Sequence, residues 1–186
     1  MKIILIGYKL SQCLVLVNKY LASKYLKGFD MVYMDYEGLI QDWGRQLAKF
    51  LQEFDDEYII FSLDDFFVSE PIDMKVYKKA LKEMGGEVVC IKLCHCTEEE
   101  HLEYPVVAQY CLWNREYLIE ILSKCTRPWD FEFDGQKLFK KKVLLRPCIV
   151  YDTRSAISGR WHGIRLDGLS DEDIKYIKEN KLIQHG

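Results

Sequence analysis

Between Lys2 and Leu63 the chain alternates short apolar runs with longer stretches whose apolar residues recur every three or four positions. Lys2–Tyr8 reads as a strand covered on both faces, because its apolar run is nearly unbroken, and it ends around Gly7. Ser11 is placed to cap a helix over Gln12–Leu26, where Leu14, Val17, Leu21 and Tyr25 fall at helical spacing and Gly28 stops the run. Phe29–Asp35 gives a second strand. Leu39–Phe54 gives a second helix, with Leu39, Trp43, Leu47, Phe50 and Leu51 on one face, and Tyr58–Leu63 a third strand. This β-α-β-α-β order predicts an α/β fold built on parallel strands with right-handed crossovers.

The second half is patterned less regularly. Asp73 caps a helix over Met74–Met84, which Gly85-Gly86 ends, and Glu87–Leu93 is a further strand. Thr97–Tyr104 reads as a charged, solvated loop. Val106–Trp113 is apolar and leads into a helix over Arg115–Ser123. Arg127–Phe133 is a dense aromatic and acidic segment, either a loop or a short helix. Val143–Tyr151 is a last strand-like run, Ser158–Gly163 a glycine-bracketed loop, and Ser170 caps a terminal helix over Asp171–Glu179. No repeat or linker divides the chain, so residues 1–186 are expected to form one domain.

The central strand carries the first chemistry. Tyr58–Leu63 runs directly into Asp64-Asp65. Adjacent residues of a strand point to opposite faces, so two Asp within a regular strand would bury one charge at high cost. The pair therefore belongs at a strand's carboxyl end, the edge where open α/β sheets bind ligands. Two hard oxygen donors there suit Mg²⁺ or Mn²⁺ held jointly with phosphates.

Composition narrows the choices. The formal net charge is -3, which leaves no overall electrostatic footprint for duplex nucleic acid; Lys137 and Lys140–Lys142 form one local basic run. No stretch is long enough for a transmembrane helix, and the brief apolar start reads as a strand rather than a signal peptide. Seven cysteines without a secretion signal are expected as reduced thiols in a cytoplasm, bacterial or that of an infected host cell. Cys90, Cys94, His95, Cys96 and His101 invite a zinc reading but lack the paired spacing of a structural site. The first turn, Gly7-Tyr8-Lys9-Leu10, is not a dinucleotide fingerprint, which argues against NAD or FAD.

Three segments combine polar and aromatic residues in a suggestive order. They are Leu63-Asp64-Asp65-Phe66-Phe67 with Pro71-Ile72-Asp73, then Leu112–Leu118 with Pro128-Trp129-Asp130-Phe131-Glu132, then Gly159-Arg160-Trp161. In these places the chain resembles small nucleotide-sugar glycosyltransferases of the GT-A type from bacteria, phages and large viruses. The resemblance runs from about Tyr58 to Trp161. It implies a GT-A-like, Rossmann-like domain with a mixed, mostly parallel sheet flanked by helices. It further implies that Asp65 or Asp64 ligates a divalent cation (Mn²⁺ or Mg²⁺) on the donor diphosphate, and that Asp35 meets the base or ribose. Glu132 or Asp130 would be the general base toward an acceptor hydroxyl, Trp129 would pack on a sugar face, and Arg160 and His162 would meet the diphosphate or the metal. With one base and no nucleophile, inversion at the anomeric carbon is the simplest outcome.

The function expected is therefore sugar transfer from a nucleotide-diphosphate donor to a hydroxyl acceptor: a glycan, a lipid-linked sugar, a protein, or a modified base in phage DNA. The low basic content weighs against nucleic acid as acceptor. Two rivals share the same residues. One is a degenerate transferase that binds nucleotide or glycan without turnover. The other is a metal-dependent nucleotidyltransferase, against which stands the lack of a glycine-rich phosphate loop.

Overall fold

The computed structural model describes residues 1–8, 12–96, 106–133, 141–152, 166 and 168–183. The opening of the chain folds as its patterning predicts. Strands β1 (Lys2–Tyr8), β2 (Asp30–Tyr36) and β3 (Tyr58–Leu63) are parallel, with β1 between the other two. Helix α1 (Gln12–Tyr25) crosses from β1 to β2, and Gly28 turns the chain with φ 91°. A 3-10 turn (Ile40–Asp42) and helix α2 (Trp43–Leu51) cross from β2 to β3.

The rest of the sheet is mixed. Beyond β3 lie β6 (Cys111–Asn114), β5 (Val88–Cys94) and β7 (Lys142–Ile149), in that order. β6 is antiparallel to both neighbours, while β5 and β7 run parallel. The apolar run Val106–Trp113 was expected only to lead into a helix, yet its end supplies this central strand. Four residues are too few to display a strand period, and full burial on both faces removes any alternation. Two residues, β4 (Phe67–Val68), pair with β8 (Tyr151–Asp152) as a small second sheet, so the expected strand Val143–Tyr151 is split between two sheets.

Helices cover both faces of the sheet. One face packs Leu14, Val17, Leu21 and Tyr25 of α1 with Tyr77 and Ala80 of α3 (Met74–Glu83) and Ile177 of α6 (Asp171–Glu179). The other packs Trp43, Leu47 and Leu51 of α2 with Leu118, Ile121 and Leu122 of α4 (Arg115–Leu122) and Phe131 of α5 (Pro128–Phe133). Two expected caps are as the sequence reads: Asp73 accepts from the N–H groups of Lys75 and Val76, and Ser170 from that of Asp173, while Ser11 lies outside the described residues. Leu39 is a correction. It lies before α2 in extended conformation, 72% exposed, with its carbonyl accepting from the Tyr36 hydroxyl. The same carbonyl accepts from the Asp42 N–H at 2.8 Å, which starts the 3-10 turn before the helix, so the apolar face of α2 begins at Trp43.

Among the described residues no helix is long and apolar enough to cross a membrane. The described cysteines Cys90, Cys94, Cys96, Cys111, Cys125 and Cys148 are free thiols. Cys90 and Cys94 lie buried in β5, and the Cys94 thiol bonds the Gln109 side chain at 3.3 Å. They pack as core, and among the described residues no three His, Cys, Asp or Glu side chains are grouped to hold a metal ion by themselves.

Candidate active site

The parallel strands β1, β2 and β3 end on one edge of the sheet. A cavity of about 650 Å³ opens there, lined by the strand ends, by the turn before α2 and by the first turns of α5. Its floor carries Gly7, Asp64 and Asp65, and its α5 wall Trp129 and Glu132.

The acidic pair is held by its backbone. The Asp64 N–H donates to the Ile6 carbonyl at 2.9 Å, extending the β1–β3 pairing by one residue. The Asp64 carbonyl accepts from the Asn18 side-chain amide at 2.5 Å. Gly7 then makes room: a Cβ built on it would stand 2.7 Å from Asp64 Oδ2. The two carboxylates thus leave the sheet at its edge.

Asp65 is chemically distinctive. Its Oδ1 is buried with no hydrogen-bond partner among the described residues. Burial raises its pKa from 3.8 to about 6; its own backbone N–H opposes the rise and the negative charge of Glu132 adds to it. Glu132 arrives on α5, with Oε1 accepting from the Ala108 N–H at 3.0 Å. Three carboxylates, the adjacent Asp64 and Asp65 and the distant Glu132, therefore line one cavity.

The other expected site residues divide. Trp129 lines the cavity and is 51% exposed, so its ring is available to a ligand. Asp130 does not line it. Its carboxylate accepts from the backbone N–H groups of Thr126 and Arg127, from the Thr126 hydroxyl and from the Arg127 guanidinium. An acid at the third helical position that returns to the cap N–H is half of a capping box, so Asp130 starts α5. Arg127 and Thr126 hold its carboxyl well below the usual range. Asp35 is exposed and outside the cavity; the next residue, Tyr36, is buried and lines it. Strand alternation decides this, since one step along β2 reverses the face. Arg160 and His162 lie outside the described residues.

The sequence reading missed Tyr36, Ile40, Gln41, Trp43 and Asn18. For Asn18 a signal existed: it falls beside Val17 and Leu21 on the apolar stripe of α1 and is fully buried, an unusual place for an amide. For Gln41 and the turn around it there was none.

No family model matches the chain, and no curated protein matches it in sequence. Solved structures do. A glycosyltransferase involved in glycosylating the major capsid of PBCV-1 superposes with TM-score 0.52 at 10% identity, over 81% of this chain and 93% of that one. The glycosyltransferase GlyE of Streptococcus pneumoniae TIGR4 gives 0.54 at 9%, over 97% of this chain and 64% of that one. A197 from STIV gives 0.52 at 15%, over 91% and 97%. At such identities the likeness is one of fold: an α/β domain with a mixed, mostly parallel sheet flanked by helices, matching the GT-A-like fold of these glycosyltransferases.

Proposed function

We propose that the protein is a glycosyltransferase that moves a sugar from a nucleotide-diphosphate donor to an acceptor hydroxyl. The observation that carries this reading is the convergence of Asp64, Asp65 and Glu132 on one cavity at the carboxyl edge of the parallel strands. The GT-A-like fold supports it, because ligands of open α/β sheets bind at that edge.

The acidic pair fits a divalent cation. Asp65 presents a buried, unpartnered oxygen beside Asp64, and Mg²⁺ or Mn²⁺ takes one or two carboxylates while phosphate and water complete its shell. When bound, such a cation neutralises charge on the departing diphosphate. Glu132 has Oε1 fixed by Ala108 and is the base for the acceptor proton, within direct reach or through one water. Trp129 offers an aromatic face to a sugar. The free thiols suit a reducing compartment such as the cytoplasm.

A thermal-shift panel of UDP-, GDP-, CMP- and dTDP-sugars with Mn²⁺, Mg²⁺ or EDTA tests this, because a ligand of the native state alone raises the melting temperature. The expected result is a shift with one nucleotide class that EDTA abolishes, followed by metal-dependent donor hydrolysis. Binding without hydrolysis or transfer points instead to a degenerate binding protein. Release of a nucleotide monophosphate joined to the product points to a nucleotidyltransferase. No shift with any donor overturns the reading.

A further inference from the structure

Asn18 is fully buried in α1, and its amide makes one bond of consequence, from Nδ2 to the Asp64 carbonyl at 2.5 Å. A carbonyl only accepts, so the amide nitrogen must face Asp64. Oδ1 is then left buried with no partner among the described residues. An orphaned buried acceptor is destabilising, and an apolar residue on this stripe of α1 would remove it, though it would also take the donor from the Asp64 carbonyl. The chain nevertheless places an amide there.

The carbonyl it holds belongs to the peptide that joins Asp64 to Asp65. The preceding peptide is tied to β1, through the Asp64 N–H on Ile6, and the peptide between Asp64 and Asp65 is tied to α1, through its C=O on Asn18, so both planes flanking the Asp64 Cα are held. The second plane's orientation sets the direction in which the Asp65 side chain leaves the backbone. The stripe around Asn18 is otherwise apolar, with Leu14, Val17 and Leu21 packed in the core. Among the described residues the polar contact of its side chain is directed at the acidic pair.

We propose that Asn18 is a positioning residue of the Asp64-Asp65 pair, holding it in the geometry that receives a divalent cation. This inference rests on the proposed reading of the pair as a cation site. Asn18 touches neither the cavity nor a ligand; it acts through the peptide it fixes.

The test uses Mn²⁺ alone as probe, with the free ion followed by electron paramagnetic resonance, on the full chain and on Asn18→Ala, Asn18→Leu and Asp65→Ala. Melting temperatures without metal are recorded in parallel. Wild type is expected to bind Mn²⁺ and Asp65→Ala to lose it. The Asn18 variants are expected to bind about 10–100-fold more weakly, the usual loss when a group supporting a metal ligand is removed. Their metal-free melting temperatures are expected to fall by only a few degrees, because the Asp64 carbonyl loses its donor while the orphaned Asn18 Oδ1 leaves with the amide. Leu fills the space that Ala leaves open, so a packing defect would affect the two variants differently. Wild-type affinity in both Asn18 variants overturns the inference and leaves the proposed function standing. Collapse of the melting temperature in both overturns it in favour of a purely structural role. Absence of Mn²⁺ binding in wild type removes the cation reading and this inference with it.

Discussion

The backbone N–H of Ala108 donates to Oε1 of Glu132 at 3.0 Å, tying the last turn of α5 to the segment that enters the central strand β6. A neighbouring bond in the same segment, from the Leu63 N–H to the Ala108 carbonyl at 3.1 Å, reaches the end of β3. Ala108 thus links the Glu132 carboxylate to the strand that leads into Asp64-Asp65. The Glu132 side chain is thereby tied, through one backbone residue, to the strand end that carries the acidic pair.

Glu132→Gln separates position from proton transfer. The Gln carbonyl can still accept from Ala108, so the fold and donor affinity should hold. Transfer should fall by about 10²–10⁴-fold, the usual contribution of a general base. Initial rates set against donor Kd check this. Asp130→Asn should behave differently. It weakens a helix start worth about 0.5–2 kcal/mol, lowers Tm, and leaves the activity of the folded protein near wild type. If the two phenotypes exchange, the base is Asp130.

Asp65 predicts a pH dependence. Its pKa is about 6 in the folded chain and 3.8 when unperturbed, so between these values the folded state holds the proton more tightly. Stability is therefore fully present below about pH 3.8 and declines as pH rises through about 6, at about 1.4 kcal/mol per unit of difference at most. Asp65→Asn cannot ionise. Its Tm advantage over wild type should be small at pH 4, grow through pH 6 and level off above. Mn²⁺ competes with the proton, so wild-type binding should weaken below pH 6. Melting curves of both proteins from pH 4 to 8, with and without Mn²⁺, check both statements.

How much of this was legible in the sequence depends on the distance over which each feature is encoded. The opening of the fold was, because Leu14, Val17 and Leu21 mark α1 by periodicity alone and the run Tyr58–Leu63 marks β3. The edge position of Asp64-Asp65 followed from the cost of burying a charge. That Glu132 faces the cavity while Asp130 turns back to the helix start was beyond sequence reasoning, since both are acids on one short helix. Their difference comes from Ala108, 24 residues away from Glu132, and from Arg127 and Thr126 beside Asp130. That Tyr36 and not Asp35 faces the cavity was equally hidden, because a one-residue step in a strand is a change of face and the pattern of β2 does not mark which face is which. The antiparallel insertion of β6 was hidden because a short buried strand has no pattern of its own.

Gly7→Ala tests the space beneath Asp64. The new methyl would stand 2.7 Å from Asp64 Oδ2 and 3.1 Å from Val15 Cγ2. The carboxylate must turn away or the strand end must shift. A stability loss of about 1–3 kcal/mol is expected from overpacking, with a larger effect on ligand binding. Any Tm increase that Mn²⁺ and donor give wild type should be lost in the variant. If Gly7→Ala retains that increase, the position of Asp64 Oδ2 is not essential to binding.

Asp173 predicts stability far from the cavity. Its carboxylate is fully buried and accepts from the hydroxyls of Tyr25 at 2.5 Å, Tyr20 at 2.8 Å and Ser170 at 2.6 Å, and from the Lys24 ammonium at 2.8 Å. Burial pushes its pKa up, but the bonds from Lys24, Ser170, Tyr25 and Tyr20 together outweigh burial and hold it below 3.8. The contribution is therefore present above pH 3.8 and lost as pH falls through the lower folded value. Asp173→Asn keeps the shape and removes the charge. Bonds to a charged group are worth about 1.5–3 kcal/mol, so Tm at pH 7 should fall by roughly 3–12 °C for a domain of this size. The difference from wild type should narrow on acidification. α1 carries both Asn18 and the Tyr20, Lys24 and Tyr25 side chains that bond Asp173, so α6 bears on the acidic pair only through α1, which the rest of the core still holds in the folded variant. Mn²⁺ affinity of Asp173→Asn measured well below its Tm should match wild type, and a loss there would mean that the terminal helix sets the geometry of the acidic pair.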